Sequence, residues 1–121
     1  MENSKKHQGR RAWEKGVFSE NLGAWYFRLK GYSVVKKRFK TPVGEIDLIL
    51  RRGKNLVFVE VKHRNSFDAA AESITPHQQK RIRRAAELYL SRTPWTKEIR
   101  FDVLLVKPWS FPVHLKHVFM E

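Results

Sequence analysis

The sequence of 121 residues predicts an α/β protein in which helices flank a mixed β-sheet. Three observations support this fold class: a helical periodicity near the N-terminus, three β-rich segments after it, and a second helical periodicity followed by two more β-rich segments. The predicted element order is therefore αβββαββ. A chain of this length fits one domain, here residues 16–121, which can bury a core without disulfides.

The first helix is predicted over residues 17–30, where apolar side chains recur every three or four positions. One face holds the large residues Phe18, Leu22, Trp25 and Leu29. The opposite face is smaller in the middle and holds Glu20, Gly23, Ala24 and Phe27. Because both faces are largely apolar, we expect the helix to pack between layers, with Trp25 in the core.

Three extended segments follow, at residues 33–39, 45–50 and 56–62. The second and third alternate in polarity, and Gly53 between them predicts a hairpin loop over residues 51–55. The third segment is the most apolar, which favours a central strand covered on both faces.

The second helix is predicted over residues 74–90. Thr75 followed by Pro76 is typical of an N-cap and a first helical position. The predicted buried stripe consists of Ile82, Ala85, Ala86 and Tyr89. A buried strand over residues 99–106 and an edge strand over residues 113–119 complete the pattern.

The composition indicates a globular protein whose partner is a polyanion. Hydrophobic residues make up 41% of the chain, and 25 Lys and Arg stand against 12 Asp and Glu, giving a net charge of +13. Such an excess favours nucleic acid as the partner, ahead of an acidic membrane or protein, with a merely solubilising surface as the alternative. The absence of cysteine excludes disulfides and thiolate metal sites.

Residues 1–15 predict a flexible basic arm. They contain Lys5, Lys6, Arg10, Arg11 and Lys15 without a continuous apolar run, which excludes a secretory signal peptide. No stretch of the chain approaches the ~20 apolar residues that cross a bilayer. The expected location is therefore cytoplasmic.

Acidic residues and a lysine are predicted to meet on two neighbouring strands. Side chains in a strand alternate between faces, so Glu45 and Asp47 share one face while Ile46 and Leu48 share the other. By the same alternation Glu60 and Lys62 share a face. If the two strands pair as a hairpin, the polar groups converge on one patch of sheet.

Such a patch favours a divalent cation. Two carboxylates held close in a partly buried site repel each other, and a hard ion such as Mg²⁺ removes that cost while keeping sites for water and phosphate. Lys62 could then orient a water molecule or stabilise negative charge on a phosphoryl group. The alternative is a solvated cross-strand ion pair between Glu60 and Lys62, which is common on sheets.

The motifs Gly44-Glu45-Ile46-Asp47-Leu48-Ile49, Leu56-Val57-Phe58-Val59-Glu60-Val61-Lys62-His63-Arg64 and Arg100-Phe101-Asp102-Val103 resemble those of the YraN (UPF0102) family. The resemblance covers roughly residues 16–119. That family is similar to the PD-(D/E)XK nuclease-like proteins, which include archaeal Holliday-junction resolvases. The resemblance therefore implies a restriction-endonuclease-like three-layer core.

The resemblance also implies residue roles. Asp47 and Glu60 match metal-binding acids, Lys62 matches the catalytic lysine, and Glu20 matches an acid on the first helix that binds metal directly or through water. Glu45 would contact these ligands rather than the metal itself. Two departures stand out: Ser19 precedes Glu20 where relatives commonly have glycine, and Gln78-Gln79 occupies a region where a lysine is common. Gln78 lies one turn before Ile82 on the predicted buried stripe, so Gln78 and Gln79, like Glu45, are expected to contact the ligands or the substrate.

The expected function is that of a Mg²⁺- or Mn²⁺-dependent endonuclease that hydrolyses DNA phosphodiesters, with branched or structured DNA as its substrate by analogy with the resolvases. RNA is the other candidate nucleic acid, and a homodimer would suit a symmetric junction. The alternative is a non-catalytic nucleic-acid-binding module of the same fold that acts with a protein partner. The residues expected to contact nucleic acid are Lys80, Arg83, Arg84, Arg51, Arg52 and Arg64.

Other polar and aromatic residues are assigned structural roles. No histidine pair has convincing zinc-ligand spacing. Asp102 is predicted to fix its strand through Arg100 or a backbone amide. Trp95 and Trp109 lie beside prolines in predicted loops, where anchoring of the loop is favoured over contact with a partner.

Overall fold

The computed structural model describes residues 21–95 and 97–118, with the side chains of residues 67, 70 and 71 left out of the description. The elements are a helix at residues 21–29 (α1), β1 (Ser33–Thr41), β2 (Gly44–Arg52), β3 (Asn55–His63), α2 (Phe67–Glu72), α3 (Pro76–Arg92), β4 (Glu98–Val106) and β5 (Val113–Leu115). The strands form one sheet in the order β1-β2-β3-β4-β5. Because β3 and β4 pair in parallel and the other neighbours antiparallel, the predicted α/β class with a mixed sheet is confirmed.

A helix packs on each face of the sheet. On one face, Ile82, Ala85 and Ala86 of α3 are buried against the sheet in a cluster that includes Phe58. On the other face, Ala24 and Phe27 of α1 are buried in a second cluster. The strand β3 is the central strand of the five and is covered on both faces, as its apolar sequence predicted.

The helix α3 begins as its sequence predicts. The Thr75 side chain accepts a hydrogen bond from the Gln78 amide at 3.2 Å, and Pro76 follows in the first turn, where its missing N–H costs no helical bond. Ile82, Ala85 and Ala86 are buried, so most of the predicted stripe is confirmed. Tyr89 packs against the same cluster from a partly buried position.

The helices, strands and turns differ from the prediction at three points. A short helix, Phe67–Glu72, precedes α3, so the described order contains one helix more than αβββαββ. The predicted loop over residues 51–55 is a tighter turn, because Arg52 pairs with Asn55 directly across Gly53 and Lys54. The last strand ends at Leu115 within the described residues, whereas the predicted arm at residues 1–15 lies outside them.

The prediction that α1 packs between layers with Trp25 in the core was wrong for Trp25 and Leu29, whereas Leu22 of the same face does pack against the core. Trp25 is 63% exposed and Leu29 is 85% exposed. The small face packs on the sheet instead, and a side chain added at Gly23 would start only 3.2 Å from those of Leu48 and Leu104. Small residues allow the helix axis to approach the sheet closely, so packing density decided against the larger apolar face.

A second close approach joins β2 to α3 and gives a prediction. A methyl group added at Gly44 would overlap the backbone carbonyl of Arg81, which cannot move without shifting the helix. We expect Gly44→Ala to lower the free energy of unfolding by about 3 kcal/mol, the upper part of the range for overpacking. Urea denaturation followed by circular dichroism measures this change.

The matched control for this prediction is Gly53→Asn. Gly53 has a φ of 58°, a conformation that Asn tolerates, and an added side chain would meet nothing within 4 Å. We expect its effect to stay within about 0.5 kcal/mol, as for other surface changes. Equal stability of Gly44→Ala and Gly53→Asn would contradict the packing of α3 against Gly44.

Within the described residues, no helix combines the length and the apolar character that crossing a membrane requires.

Candidate functional site

The candidate site lies where β2 and β3 separate. Their pairing register runs from Arg52 and Asn55 to Leu48 and Val59. At the next position the Asp47 carboxylate enters the gap, and its Oδ2 accepts a hydrogen bond of 2.7 Å from the Val61 amide. A side chain therefore replaces the main-chain partner that a continuous ladder would supply.

This insertion changes the predicted alternation of β2. Ile46 belongs to the core cluster on the α3 face, whereas Leu48 belongs to the cluster on the α1 face. The expectation that Ile46 and Leu48 share a face was therefore wrong. The alternation is interrupted at Asp47, whose carboxylate bonds the main chain of β3 at Val61.

Glu60 and Lys62 do lie on the same side of β3, toward α3. The Lys62 Nζ is 3.3 Å from a carboxylate oxygen of Glu60 and donates a hydrogen bond of 2.8 Å to Oε1 of Gln78. The side chains of Lys62 and Glu60 are only 5% and 14% exposed. The ammonium group is thus held by a strand and by the first turn of a helix, not solvated on an open sheet.

The electrostatics of the carboxyl pair favour a cation. Burial raises the pKa of Asp47, and the negative charge of Glu45 raises it further against the opposing Val61 amide. Burial and the nearby Asp47 charge raise the pKa of Glu60 to about 8, although Lys62 opposes this shift. At neutral pH the pair therefore retains a proton, since two buried carboxylates hydrogen-bonded to each other resist full ionisation.

A pocket of about 60 Å³ opens beside the pair. Its described lining consists of Glu45, Glu60, Gln78, Arg81 and Ile82. A cavity needs ~10–15 Å³ of such water-accessible space to hold one water molecule, so this space suits an ion with part of its hydration shell. The pocket therefore supplies both room for water and an oxygen-rich wall.

The donor set fits Mg²⁺ or Mn²⁺. These ions favour oxygen ligands, and Mg²⁺ is commonly bound through one or two carboxylates while it keeps several waters. Among the residues that the structure describes, no group of three His, Asp or Glu side chains is close enough to hold a metal ion. Asp47 and Glu60 would hold it from this part of the chain, and Glu20, the third predicted ligand, lies outside the described residues.

The predicted auxiliary residues separate into two groups. Gln78 bonds Lys62 and lines the pocket, and Glu45 lines it too. Gln79 occupies the next helical position, where its backbone amide donates a hydrogen bond to the Thr75 carbonyl. Arg81 also lines the pocket and was missed, although its spacing of three from Gln78 on a helix was a usable signal.

The predicted nucleic-acid contacts also separate by position. Arg64 follows β3 directly beyond Lys62, and Lys80 and Arg84 are exposed on α3.

By contrast, Arg51 and Arg52 lie at the opposite end of β2 from Asp47. There they stack on Trp95 and Tyr32, at 5.2 Å and 5.3 Å from the ring centres. Arg83 is half-buried and has contacts of its own.

Sequence reasoning missed a basic edge of the sheet. Lys40 of β1 pairs with Glu45 and is exposed, so it lies beside the pocket. Lys36 and Lys37 continue along the same edge strand and are exposed too. The run of basic residues at 36–40 was the signal that could have identified this surface.

A second polar cluster is buried on the α1 face of the sheet. Asp102 accepts hydrogen bonds from Arg100 Nε at 2.9 Å and from His114 Nε2 at 2.6 Å, together with one from the His117 amide at 3.3 Å. Arg100 in turn donates to the Tyr32 hydroxyl at 2.7 Å. The prediction that Asp102 is held by Arg100 or by a backbone amide is confirmed, because both contacts are present.

The cluster has the electrostatics of a structural ion pair. Burial by itself would raise the pKa of Asp102, but hydrogen bonds from His114 and Arg100 outweigh it and lower the pKa below its ordinary value. Asp102 is fully buried and bonded on both oxygens, so it differs from the carboxyl pair at the pocket. Its charge is already compensated within the fold.

Comparison with known proteins identifies relatives of this chain. Residues 19–106 match the family model described as "Uncharacterised protein family UPF0102". A UPF0102 protein of Parvibaculum lavamentivorans is 50% identical over 109 residues, which cover 88% of this chain and 82% of that protein.

Two further relatives extend the comparison. A UPF0102 protein of Rhodopseudomonas palustris strain HaA2 is 46% identical over 110 residues, covering 89% of this chain and 86% of the relative. One from Paramagnetospirillum magneticum is 44% identical over 118 residues, covering 93% and 90%. The similarity therefore extends over nearly the whole length of both this chain and its relatives.

Proposed function

The chain belongs to the UPF0102 family, and from the site that it contains we propose that it is a metal-dependent endonuclease hydrolysing DNA phosphodiester bonds. The observation that supports this most directly is the buried carboxyl pair of Asp47 and Glu60, with Lys62 beside it, at the point where two strands separate. In this proposal the mixed sheet and its two helices are a restriction-endonuclease-like core.

The two acids would hold the ion. Asp47 is fixed by the Val61 amide, and Glu60 is fixed beside Lys62, so neither has to reorganise when an ion enters. Glu20 is proposed as the third ligand. The chemistry that a divalent ion supplies in such a site is polarisation of the phosphoryl group and activation of water.

Lys62 would act on the phosphate. An ammonium group has three N–H donors, and the geometry directs two of them to Glu60 and Gln78. The third donor can bond a phosphoryl oxygen or the attacking water. Because the group is almost fully buried, its charge is screened less than a surface charge and stabilises the developing negative charge more strongly.

Basic residues around the pocket would bring the substrate. Lys40 lies on β1 opposite Glu45 of the pocket, Arg64 directly follows β3, and the chain as a whole has a net charge of +13. Binding of DNA to such a surface weakens as salt rises, because phosphate neutralisation releases counterions. Branched DNA is proposed from the resemblance to the resolvases, and a homodimer would match a two-fold symmetric junction.

Cleavage assays test the proposal. Linear duplex, nicked duplex and four-way-junction DNA are incubated with the protein and Mg²⁺, Mn²⁺ or EDTA, and products are separated on denaturing gels. We expect cleavage with either metal and none with EDTA. Salt-dependent binding without cleavage of any substrate would overturn the proposal in favour of the non-catalytic DNA-binding module. The feature that favours this second candidate is Gln78-Gln79, in a region where the resemblance implies a lysine.

Metal-free stability should depend on pH through Glu60. Its pKa is near 4.5 in the unfolded chain and about 8 in the folded one, so between these values unfolding releases a proton. Stability therefore falls as pH rises, by about 2 kcal/mol between pH 6 and pH 8 at ~1.36 kcal/mol per unit. Urea denaturation at each pH measures the change.

The same experiment gives a test of metal binding. At a concentration 100 times its Kd, Mn²⁺ should stabilise the protein by ~2.7 kcal/mol. Glu60→Gln should remove most of the pH dependence and most of the Mn²⁺ effect. The control Glu98→Gln, at an exposed acid paired with Lys54, should leave both unchanged. A Mn²⁺ effect that persists in Glu60→Gln would remove this acid from the metal site.

A further inference from the structure

The loop between β4 and β5 presents two aromatic side chains to solvent. Trp109 is fully exposed and Phe111 is 90% exposed, between Pro108 and Pro112. Together with Ser110 they line a shallow depression on the surface. Neither ring belongs to the described core clusters, so packing of the fold does not explain their presence.

The backbone of this loop favours presentation over burial. Trp109 has a φ of 59°, a left-handed conformation that is rare for a bulky residue other than glycine. Strain of this kind persists where the surrounding structure imposes it, and it is concentrated at binding sites. The two flanking prolines restrict the loop, which lowers the entropy lost when its rings bind a partner.

The loop lies at the same end of the sheet as the candidate site. Lys62 pairs with Leu105, and the Arg64 amide donates to the carbonyl of Val106, the last residue of β4. With at most ~3.6 Å per residue and ~4.8 Å between strands, the Cα of Trp109 is within about 19 Å of that of Lys62. This upper limit corresponds to about six stacked nucleotides of one strand at ~3.4 Å each.

We propose that Trp109 and Phe111 form a stacking platform for unpaired nucleobases of DNA bound at the carboxylate–lysine site. The inference rests on the proposed function and adds to it a substrate class: DNA with a single-stranded segment next to the cleaved bond. Every base has an aromatic face, so two exposed rings bind unpaired bases without requiring a particular sequence. Bases stacked within a duplex cannot offer those faces.

Charge favours nucleic acid over the other occupants of an apolar loop. The chain has a net charge of +13, and the exposed Arg64 lies at the base of the loop, where its backbone amide donates to the carbonyl of Val106. A strand that stacks on the rings would have its phosphates within reach of this cation. A second copy of the chain would instead bring like charge to the same surface.

Binding measured without metal tests this platform separately from catalysis. Fluorescein-labelled oligothymidylate of 15 nucleotides and a blunt 15-base-pair duplex are titrated by anisotropy in EDTA at low salt. We expect the double variant Trp109→Ala/Phe111→Ala to bind the single strand at least tenfold more weakly and the duplex within twofold of wild type. Trp109→Phe/Phe111→Tyr should retain single-strand binding, because the rings remain.

The matched control is Trp25→Ala/Leu29→Ala, which removes two exposed apolar side chains from α1. It should bind both ligands like wild type. Unchanged single-strand binding by the loop variant overturns the platform, whereas metal-dependent cleavage in the same preparation leaves the proposed function standing. Failure of the wild-type protein to bind either DNA overturns both. A loop variant that loses self-association in gel filtration, with unchanged DNA binding, assigns the loop to a second copy and overturns the inference.

Discussion

Asp47→Asn is expected to abolish metal-dependent DNA cleavage while leaving the protein folded. In the native chain the Val61 amide donates a hydrogen bond of 2.7 Å to Oδ2 of Asp47. Asparagine retains a side-chain oxygen that can accept this bond. It lacks the negative charge that the proposed ion requires. We expect cleavage to fall by at least ~10³-fold, equivalent to about 4 kcal/mol of transition-state stabilisation. Initial rates on the best DNA substrate measure this loss.

The stability of the same variant separates lost chemistry from lost folding. Because the negative charge of Asp47 raises the pKa of the neighbouring Glu60, removal of that charge relieves repulsion in the metal-free protein. Asp47→Asn should therefore be at least as stable as wild type in EDTA at pH 8. The control Asp68→Asn, at an exposed position of α2, should leave cleavage and stability unchanged.

Lys62→Ala tests the second component of the site. The alanine variant loses the ammonium group that lies between Glu60 and Gln78, so cleavage should fall as severely as in Asp47→Asn. Lys54→Ala, at an exposed lysine paired with Glu98, is the matched control and should cleave normally. Wild-type cleavage by Asp47→Asn or Lys62→Ala would refute the proposed mechanism.

Asp102→Ala is expected to be the most destabilising single substitution among those considered, at about 3–5 kcal/mol. It removes the acceptor for Arg100 and His114 and leaves the guanidinium charge of Arg100 uncompensated at 7% exposure. The control Glu98→Ala breaks an exposed ion pair with Lys54 and should cost less than about 1 kcal/mol. Urea denaturation followed by circular dichroism measures both.

The pH dependence of this effect has a defined sign. The pKa of Asp102 is lower in the folded protein than its ordinary value of 3.8, so its ionised form stabilises the fold above that value. The contribution is lost as the pH falls through the folded pKa. The difference in stability between wild type and Asp102→Asn should therefore be constant above pH 5 and decrease below pH 4. A difference that does not change with acidification would contradict the lowered pKa.

Local sequence patterns were sufficient for most of the secondary structure. The alternation around residues 56–62 predicted β3, and Thr75 with Pro76 predicted the start of α3. These signals are local, since a strand period or a helix cap involves residues close together in the chain. The pairing of Asp102 with Arg100 was predictable for the same reason, because the two are separated by one residue on a strand.

The residue types of the candidate site were also evident in the sequence, but their arrangement was not. Alternation placed Asp47 on a face of β2, but it did not predict that the carboxylate would bond the Val61 amide of the neighbouring strand. That position depends on where the β2–β3 ladder ends, which is a property of two strands together. The partner of Lys62 on α3 was likewise decided by helix–sheet packing.

The sequence by itself determined the α/β class, the mixed sheet and the identity of the acids and lysine, because period, capping and residue chemistry are encoded locally. Only the tertiary structure decided which face of α1 is buried and that Trp109 is exposed at the same end of the sheet as Lys62. Both sides of α1 were apolar enough to be buried. The side that contains Gly23 is buried because glycine lets the helix approach the sheet closely. No local sequence pattern predicts this distance between helix and sheet.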